Sequence, residues 1–399
     1  MKTNRYTVLV SGMLIQFCAG IIYMWSVFKD PVAQHLSWTA ESAAFTSSIM
    51  LAAFVLGIIV GGRVQDKIGP QKVTAAGSIL ISLGMILTSF VTAAAPSLIY
   101  LTYGILAGFG VGCVYTCTVS TIQKWFPDKR GFATGMIVSA FGFSLVVFAP
   151  LAKIMLSSLG VQSTFLIFGG AFLVICLICS LFIKTPPAAD TAGKATGKAI
   201  FGRQFNTLEM LKTKQFYLIA GSMFFLLPAY FIINPLLMTL GVEKGLSEEL
   251  ALLGVMITGI ASASGRLLIS WLSDKTGRKT AIICIGFLTV AAACLMIVAN
   301  GVFFLICIAL IAFAFGGSSG VFAALTTDYY GTKSAGLNFG CVMVAFALSS
   351  LLSPLVAGAI SSGGYTASFI LAAATAAISI LLTAALKPPA AKDSPDTVK

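Results

Sequence analysis

The sequence predicts an all-α membrane protein with twelve transmembrane helices in two six-helix bundles. Of its 399 residues, 58% are hydrophobic and only 10% are charged, and the mean hydropathy is +0.98. Apolar stretches of about 20 residues, enough to cross a hydrocarbon core of roughly 30 Å, recur along the whole chain. One long polar interruption near the middle, which contains Pro186 and Pro187, separates six of these stretches from the other six.

The helices are predicted in order from the apolar stretches and the short polar breaks between them. In the first half the spans are 6–28, 42–62, 73–91, 98–122, 132–156 and 163–183. In the second half they are 216–240, 250–272, 280–299, 302–326, 337–361 and 365–386. This pattern predicts an N-terminal bundle at 1–184, a cytoplasmic linker at 185–215, a C-terminal bundle at 216–387 and a cytoplasmic tail at 388–399.

The basic residues predict the orientation. Apart from Lys29, Lys153, Lys244 and Arg266, all of them fall in segments that are cytoplasmic if the N-terminus is cytoplasmic. This is the positive-inside bias, so we expect an integral plasma (inner) membrane protein with both termini in the cytoplasm. Because the net charge of +12 reports topology, we expect no nucleic-acid partner.

The sequence lacks the residues that several classes of function require. The nine cysteines all fall in predicted helices without His or acidic clusters, so we predict no metal site and no cofactor. Catalytic motifs such as H-E-x-x-H and G-x-S-x-G are absent, which argues against an enzyme and against catalytic residues. No acidic residue lies in the middle of a predicted helix, which disfavours an exporter of cationic drugs.

An internal repeat predicts a transporter. A shift of the chain by 208 residues pairs Gly57 with Gly265, Asp66 with Asp274, Lys67 with Lys275 and Gly69 with Gly277. A parallel repeat of two six-helix bundles is a known transporter plan, in which the substrate binds near the middle of the membrane between the halves.

Arg266 is the strongest candidate for a substrate ligand. It is a permanent cation inside the apolar eighth span, and no acidic residue lies within seven positions of it. An unpaired charge at such a depth costs at least about 2.5–3.5 kcal/mol, so it needs a counter-charge, water or an anionic ligand. Substrate binding is the favoured interpretation, and pairing with cytoplasmic groups is the alternative.

The segment Gly62-Arg63-Val64-Gln65-Asp66-Lys67-Ile68-Gly69 resembles the loop signature between helices 2 and 3 of the major facilitator superfamily, and Ser270–Lys279 is its second copy. The resemblance implies the major facilitator fold. It also implies a role in conformational gating for residues in both copies, which are Gly62, Asp66, Lys67, Gly69, Asp274, Lys275, Gly277 and Arg278.

A narrower resemblance rests on Gly20–Ser26, Lys124–Gly131, Gly265-Arg266 and the segment from Tyr330 to Gly340. These motifs are similar to those of the oxalate/formate antiporter family and its monocarboxylate-transporter relatives. The resemblance implies that Arg266 binds the substrate carboxylate. It further implies that Tyr23 and Tyr115 line the site, although packing is an equally good interpretation of both tyrosines.

Two departures from the family pattern bear on the substrate. Phe346 stands where oxalate-handling members carry a second cation, so one carboxylate is expected, with Phe346 and Phe141 closing the pocket. Ser262, four residues before Arg266 on the same helix face, cannot take up a proton as the Asp of animal carriers does. Tyr230 and Asn234 share a face of the seventh span before Pro235 and are further candidates, with packing as the alternative.

The predicted function is secondary active transport of small monocarboxylates such as lactate or pyruvate by alternating access. Proton coupling and anion exchange stay open, as do an oxalate/formate-type antiporter and an anion sensor of the same fold that does not transport. The expected partners are the anion, a proton under symport, and the lipid bilayer, with a functional monomer.

Overall fold

The computed structural model describes residues 4–187, 204–233, 237–360 and 365–388. In the first half, the α-helices are α1 (Arg5–Ala19), α2 (Trp25–His35), α3 (Ala40–Ile68), α4 (Pro70–Thr88), α5 (Gly108–Trp125) and α6 (Arg130–Ser180). A 3-10 turn at Gly20–Tyr23 joins α1 to α2, and a π-helical stretch at Tyr100–Ala107 runs directly into α5.

In the second half, a short α7 (Thr207–Leu211) precedes the membrane helices. The others are α8 (Lys214–Leu226), α9 (Pro228–Ile233), α10 (Leu237–Glu243), α11 (Glu248–Thr276), α12 (Arg278–Val298), α13 (Gly301–Tyr330), α14 (Ala335–Ile360) and α15 (Thr366–Ala384). The predicted seventh span is thus divided, because Pro228 begins a new helix after Leu226.

The predicted set of twelve helices is confirmed. Ten helical stretches of the described residues are long and apolar enough to cross a membrane. One of them, Arg130–Ser180, has 51 residues and bends at Gly160 (φ 79°, ψ 176°), so it contains the predicted fifth and sixth spans without a loop between them. The eighth predicted span lies in α11, which is not among the ten and carries Arg266.

The chain divides into two compact units. Unit 1 comprises Met1–Phe126 and Ala140–Pro187, and unit 2 comprises Pro127–Ser139 and Ala188–Lys399. The first ten residues of α6 therefore belong with the second half, although the sequence places the whole of α6 in the first bundle.

The repeat is visible inside each unit as a close helix pair. In unit 1, a methyl group on Gly57 of α3 would overlap the Phe109 carbonyl of α5. In unit 2, a methyl group on Gly265 of α11 would overlap the Phe313 carbonyl of α13 in the same way. The two residues that the shift of 208 pairs thus permit the same backbone contact in both halves.

Candidate functional site

The site is built on one face of α11 in unit 2. Polar residues recur at every fourth position, so each lies one turn from the next and the row winds slowly around the helix; they are Thr258, Ser262, Arg266, Ser270 and Asp274. The first four are buried, and Arg266 is only 4% exposed. Arg266, which the sequence places within an apolar span, is therefore also buried within the protein.

Glycines hold the neighbouring helices against this part of α11. On α13, a methyl group at Gly316 would overlap the Ser262 carbonyl, and one at Gly320 would overlap the Ser270 hydroxyl. On α6, a methyl group at Gly135 would lie 2.7 Å from the Arg266 carbonyl oxygen. The backbone that carries Arg266 is therefore enclosed by two helices that approach it without side chains in between.

The guanidinium of Arg266 reaches toward α6. Its Nη1 donates to the backbone carbonyl of Val138 over 3.4 Å, which is long for a hydrogen bond. One residue further along α6, the Ser139 hydroxyl donates to the Ala263 carbonyl of α11 over 2.8 Å. The two bonds join the helices at the level of Arg266.

An aromatic cluster packs in the same unit, and it includes two predicted site residues. Tyr230 stacks on Phe315 with ring centroids 3.8 Å apart and an interplanar angle of 8°. Phe346 contacts Phe231 at 5.3 Å and Phe315 at 6.3 Å. Phe231 and Phe315 were not predicted. Phe315 directly precedes the glycine pair Gly316-Gly317, and a large ring beside such a pair is the signal that would have found it.

A small cavity of about 10 Å³ lies beside this cluster, lined by Tyr230, Ile233, Thr258, Ile308, Ile311 and Ala312. That volume holds about one water molecule. Thr258 is the first residue of the polar row of α11, so the cavity lies between that end of the row and the aromatic cluster. The predicted partner of Tyr230, Asn234, lies outside the described residues.

The three aromatic candidates of the first half come together in unit 1. Phe141 is in contact with Tyr23 at 5.3 Å and with Tyr115 at 5.4 Å between ring centroids. Phe54, which was not predicted, packs against Tyr115 at 5.5 Å. Tyr115 is buried, whereas Tyr23 is 36% exposed. The predicted residues are therefore neighbours, and Tyr23 is the accessible member.

The predicted gating residues of the second copy form the end of α11. The Asp274 carboxylate accepts hydrogen bonds from the amides of Gly131 at 2.9 Å and Phe132 at 2.8 Å, at the first turn of α6. A carboxylate there also stabilises the positive end of the helix dipole. Arg278 pairs with the same carboxylate at 2.5 Å.

Two residues that were not predicted complete this arrangement. Asp328 of α13 accepts from Arg130 at 2.7 Å and from Arg278 at 2.9 Å. Arg130 and Asp328 are buried, and Arg278 and Asp274 nearly so, with side chains 11% and 13% exposed. Arg130, Asp274, Arg278 and Asp328 thus make a charge network of two cations and two anions, in which every charge has a partner.

The other gating candidates have different surroundings. Gly69 and Gly277 end α3 and α11 at positive φ values of 88° and 90°, which L side chains rarely adopt. Gly62 is buried in α3, whereas Asp66 and Lys67 are exposed, and Asp66 lies near enough to Lys124 for their charges to interact. Lys275 lies over the Trp271 ring, with Nζ 4.1 Å from the ring centroid.

No group of three or more His, Cys, Asp or Glu side chains that could hold a metal ion occurs in the described ranges. The site consists of a buried cation, hydroxyls and aromatic rings. Such a set can bind an anion with an apolar part, because a guanidinium presents two parallel donors to a carboxylate.

Comparison with known proteins gives a consistent result. The sequence model of the Major Facilitator Superfamily matches residues 8–301 and 219–399. The oxalate:formate antiporter of Oxalobacter formigenes is 30% identical over 387 residues, covering 95% of this chain and 90% of the antiporter. The MFS-type transporter YhjX of Escherichia coli is 28% identical over 364 residues, covering 88% and 87%.

Monocarboxylate transporter 12 of Xenopus laevis is 25% identical over 379 residues, covering 87% of this chain and 80% of that protein. Among solved structures, the transporter FucP in the outward conformation superposes with a TM-score of 0.73 at 16% identity, covering 94% of this chain and 97% of FucP. The proton:xylose symporter XylE gives 0.72 at 15% identity, covering 94% of each chain. At these identities the structural matches show the fold alone.

Proposed function

Because the chain belongs to the Major Facilitator Superfamily, in the branch that holds the oxalate:formate antiporter and the monocarboxylate transporters, we propose that it is a secondary active transporter of small monocarboxylates. The proposed substrate is lactate, pyruvate or a similar short acid. It is carried by alternating access, in which the binding site opens to one side of the membrane at a time.

The observation that carries this proposal is the buried guanidinium of Arg266. It donates to a neutral backbone carbonyl over a long 3.4 Å. A substrate carboxylate would make charge-assisted bonds to the same group, which are roughly twice as strong as bonds between neutral partners. An anion of the right size would therefore compete with the Val138 carbonyl for the guanidinium and bring a negative charge to it.

Selectivity for one carboxylate follows from the wall of the site. We propose that Phe346, which contacts Phe231 and Phe315, lines the site and stands in place of the second cation that a dianion would need. Tyr230 and Thr258 supply hydroxyls beside the small cavity, and these suit a 2-hydroxy or 2-oxo group on a short tail. Tyr23, Tyr115 and Phe141, which cluster within unit 1, are the proposed substrate contacts of the first half.

The charge network would control access from the cytoplasm. Arg130, Asp274, Arg278 and Asp328 pair the first turn of α6 with α11, α12 and α13. Opening at this end would separate these partners, so their pairing stabilises the closed arrangement. We propose that substrate binding favours this opening, that Gly277 provides the tight turn beside the charge network, and that Gly69 provides the equivalent turn within unit 1.

Two modes of coupling remain in the proposal. The similarity to an oxalate:formate antiporter favours exchange of one anion for another. Co-transport of a proton is the alternative, with the proton carried by the substrate or by water, because Ser262 cannot be the carboxylate relay. We further propose a plasma (inner) membrane location, cytoplasmic termini and a functional monomer.

The test is uptake of radiolabelled L-lactate into proteoliposomes by the wild type, Arg266→Ala and Arg266→Lys. We expect saturable uptake that pyruvate inhibits and oxalate does not, and loss of uptake in both variants. Lys153→Ala is the matched control, because Lys153 is also a cation within a predicted span but is exposed, and it should retain uptake. Full uptake by Arg266→Ala would remove Arg266 from the site.

The same vesicles separate the coupling modes. Preloading with unlabelled lactate should accelerate uptake under exchange, whereas an acidic exterior without preloading should accelerate it under proton symport. Saturable lactate binding to the purified protein without any uptake would instead indicate a sensor.

A further inference from the structure

Helices α6 and α11 meet along a line of small residues. On α6 these are Gly131, Gly135 and Ser139, spaced by four and therefore on one face. A methyl group at Gly131 would overlap the Ser270 carbonyl, and one at Gly135 would lie 2.7 Å from the Arg266 carbonyl and 3.2 Å from Cα of Leu267. We call this line of contact, from Gly131 to Ser139 on α6, the α6–α11 seam.

Two side-chain hydrogen bonds close the seam at its inner end. Ser139 donates to the Ala263 carbonyl over 2.8 Å, and Arg266 donates to the Val138 carbonyl over 3.4 Å. All four residues are buried. The Ser139 bond has good length for a hydroxyl donor, whereas the Arg266 bond is at the long limit.

The other end of the seam lies at the charge network. The amide of Gly131 donates to Asp274, and Gly131 is eight residues from Ser139, or about 12 Å along a helix. One short helical segment thus connects the guanidinium of Arg266 to the carboxylate of Asp274. A change at Arg266 can reach the network by moving this segment as a rigid element.

The Val138 carbonyl and a substrate carboxylate would therefore compete for Arg266. The carboxylate is charged and bidentate, so it is the better acceptor. Turning the guanidinium toward the carboxylate weakens the bond to Val138 and with it the inner end of the seam.

We propose that the α6–α11 seam is a substrate-sensitive latch, in which Ser139 and Gly135 of α6 position Arg266 of α11 against α6 and carboxylate binding releases that contact. This inference rests on the proposed function. Release at Val138 loosens the segment whose first turn the charge network holds, and this couples occupancy of the site to opening at the cytoplasmic end. Ser139 and Gly135 act through Arg266 and do not touch the substrate.

The latch and a purely structural role predict opposite changes in the Kd for lactate when the seam is weakened. If seam closure competes with substrate, a weaker seam raises the fraction of molecules that are ready to bind, and the apparent Kd falls. A hydrogen bond between neutral groups is worth about 0.5–1.5 kcal/mol, so Ser139→Ala should lower the Kd for lactate by roughly two- to tenfold. If Ser139 merely held the site in shape, its loss would raise the Kd.

The first experiment measures lactate binding to purified protein by calorimetry for the wild type, Ser139→Ala and the control Ser157→Ala. Ser157 is an exposed serine of α6 whose hydroxyl bonds to Ile154 in its own helix, so its variant should bind like the wild type. A Kd for Ser139→Ala that is equal to or higher than that of the wild type overturns the latch.

The second experiment needs no substrate. Backbone hydrogen exchange, followed by mass spectrometry in nanodiscs, is compared for wild type, Gly135→Ala and Gly170→Ala. A methyl group at Gly170, also in α6, would meet nothing within 4 Å. Faster exchange across 130–139 in Gly135→Ala alone supports the seam, and unchanged exchange there overturns it.

Adding lactate to the wild type distinguishes the two failures. Binding without faster exchange at 130–139 contradicts the latch and leaves the proposed transport function intact. Failure of the wild type to bind any short monocarboxylate contradicts the proposed substrate. In that case, the hydrogen exchange of Gly135→Ala without substrate tests whether the seam exists.

Discussion

Asp328 and Arg130 are 198 residues apart in the sequence, yet their side chains pair at 2.7 Å in the interior of unit 2. Arg278 binds the second oxygen of the same carboxylate at 2.9 Å. The carboxylate therefore neutralises one cation from the start of α6 and another from the start of α12. It links two helix ends that would repel each other without it.

We expect Asp328→Asn to destabilise the protein strongly, because two buried arginines lose a shared counter-charge. Loss of one partner from a buried pair typically costs about 3–5 kcal/mol. Thermal unfolding in detergent should show a large fall in Tm. The exposed pair Lys29–Asp30, at 3.4 Å, provides the control, because Asp30→Asn should change stability by at most about 1 kcal/mol.

The double variant Arg130→Gln with Asp328→Asn sharpens this prediction. It also removes Arg130, one of the two cations that share the Asp328 carboxylate, so its Tm should lie above that of Asp328→Asn. A double variant no more stable than the single one would show that the pairing at 2.7 Å has little energetic weight.

The turn after α11 predicts a second effect on stability. Gly277 has φ 90° and ψ 146°, close to a region that is populated almost only by glycine, where another residue costs about 1–3 kcal/mol. Gly277→Ala should therefore lower the Tm, and so should Gly69→Ala at the equivalent turn with φ 88°.

Gly259→Ala is the matched control for these variants. Gly259 lies inside α11, and a methyl group there would meet nothing within 4 Å, so alanine should be neutral or stabilising by roughly 0.5–1 kcal/mol. Equal loss of stability in all three variants would assign the effect to glycine replacement in general.

Phe346 predicts a switch of substrate charge. Phe346→Lys adds a second cation beside the aromatic cluster, so oxalate should become an inhibitor of lactate uptake in proteoliposomes. Phe346→Leu removes the ring without adding charge and should leave oxalate without effect. Insensitivity of Phe346→Lys to oxalate, in a protein that still takes up lactate, would place Phe346 outside the substrate site.

The sequence was sufficient for the helices and for the charge at Arg266, because both depend on local patterns. Span length, hydropathy and the bias of basic residues each depend only on residues that are consecutive in the chain. The roles of Arg130 and Asp328 were not predicted, because each lies at the end of a span, where a charged residue is normally interpreted as an ordinary interfacial residue. Only the folded chain shows that the two meet.

Phe315 and Ser139 were not predicted for a different reason. Both belong to apolar helices in which periodicity shows that a residue is buried but not which helix it faces. Phe315 stacks on Tyr230 and Ser139 bonds to Ala263, and both contacts depend on how closely glycines let α6 and α13 approach their neighbours. The division of the seventh span at Pro228 was not predicted either, because Pro235 in the same span indicates a kink equally well.

Ser262 allows a test of proton dependence at the site itself. Ser262→Asp places a carboxylate one helical turn before Arg266 on the same face, where it can pair with the guanidinium and compete with the substrate. Lactate uptake should fall at neutral pH and recover in part at acidic pH, because protonation of the new carboxyl frees Arg266. Ser262→Asn has similar size but does not titrate, so its uptake should lack this additional recovery. If the two variants share one pH profile, a residue at 262 does not compete for Arg266, and Ser262 has no place in the carboxylate site.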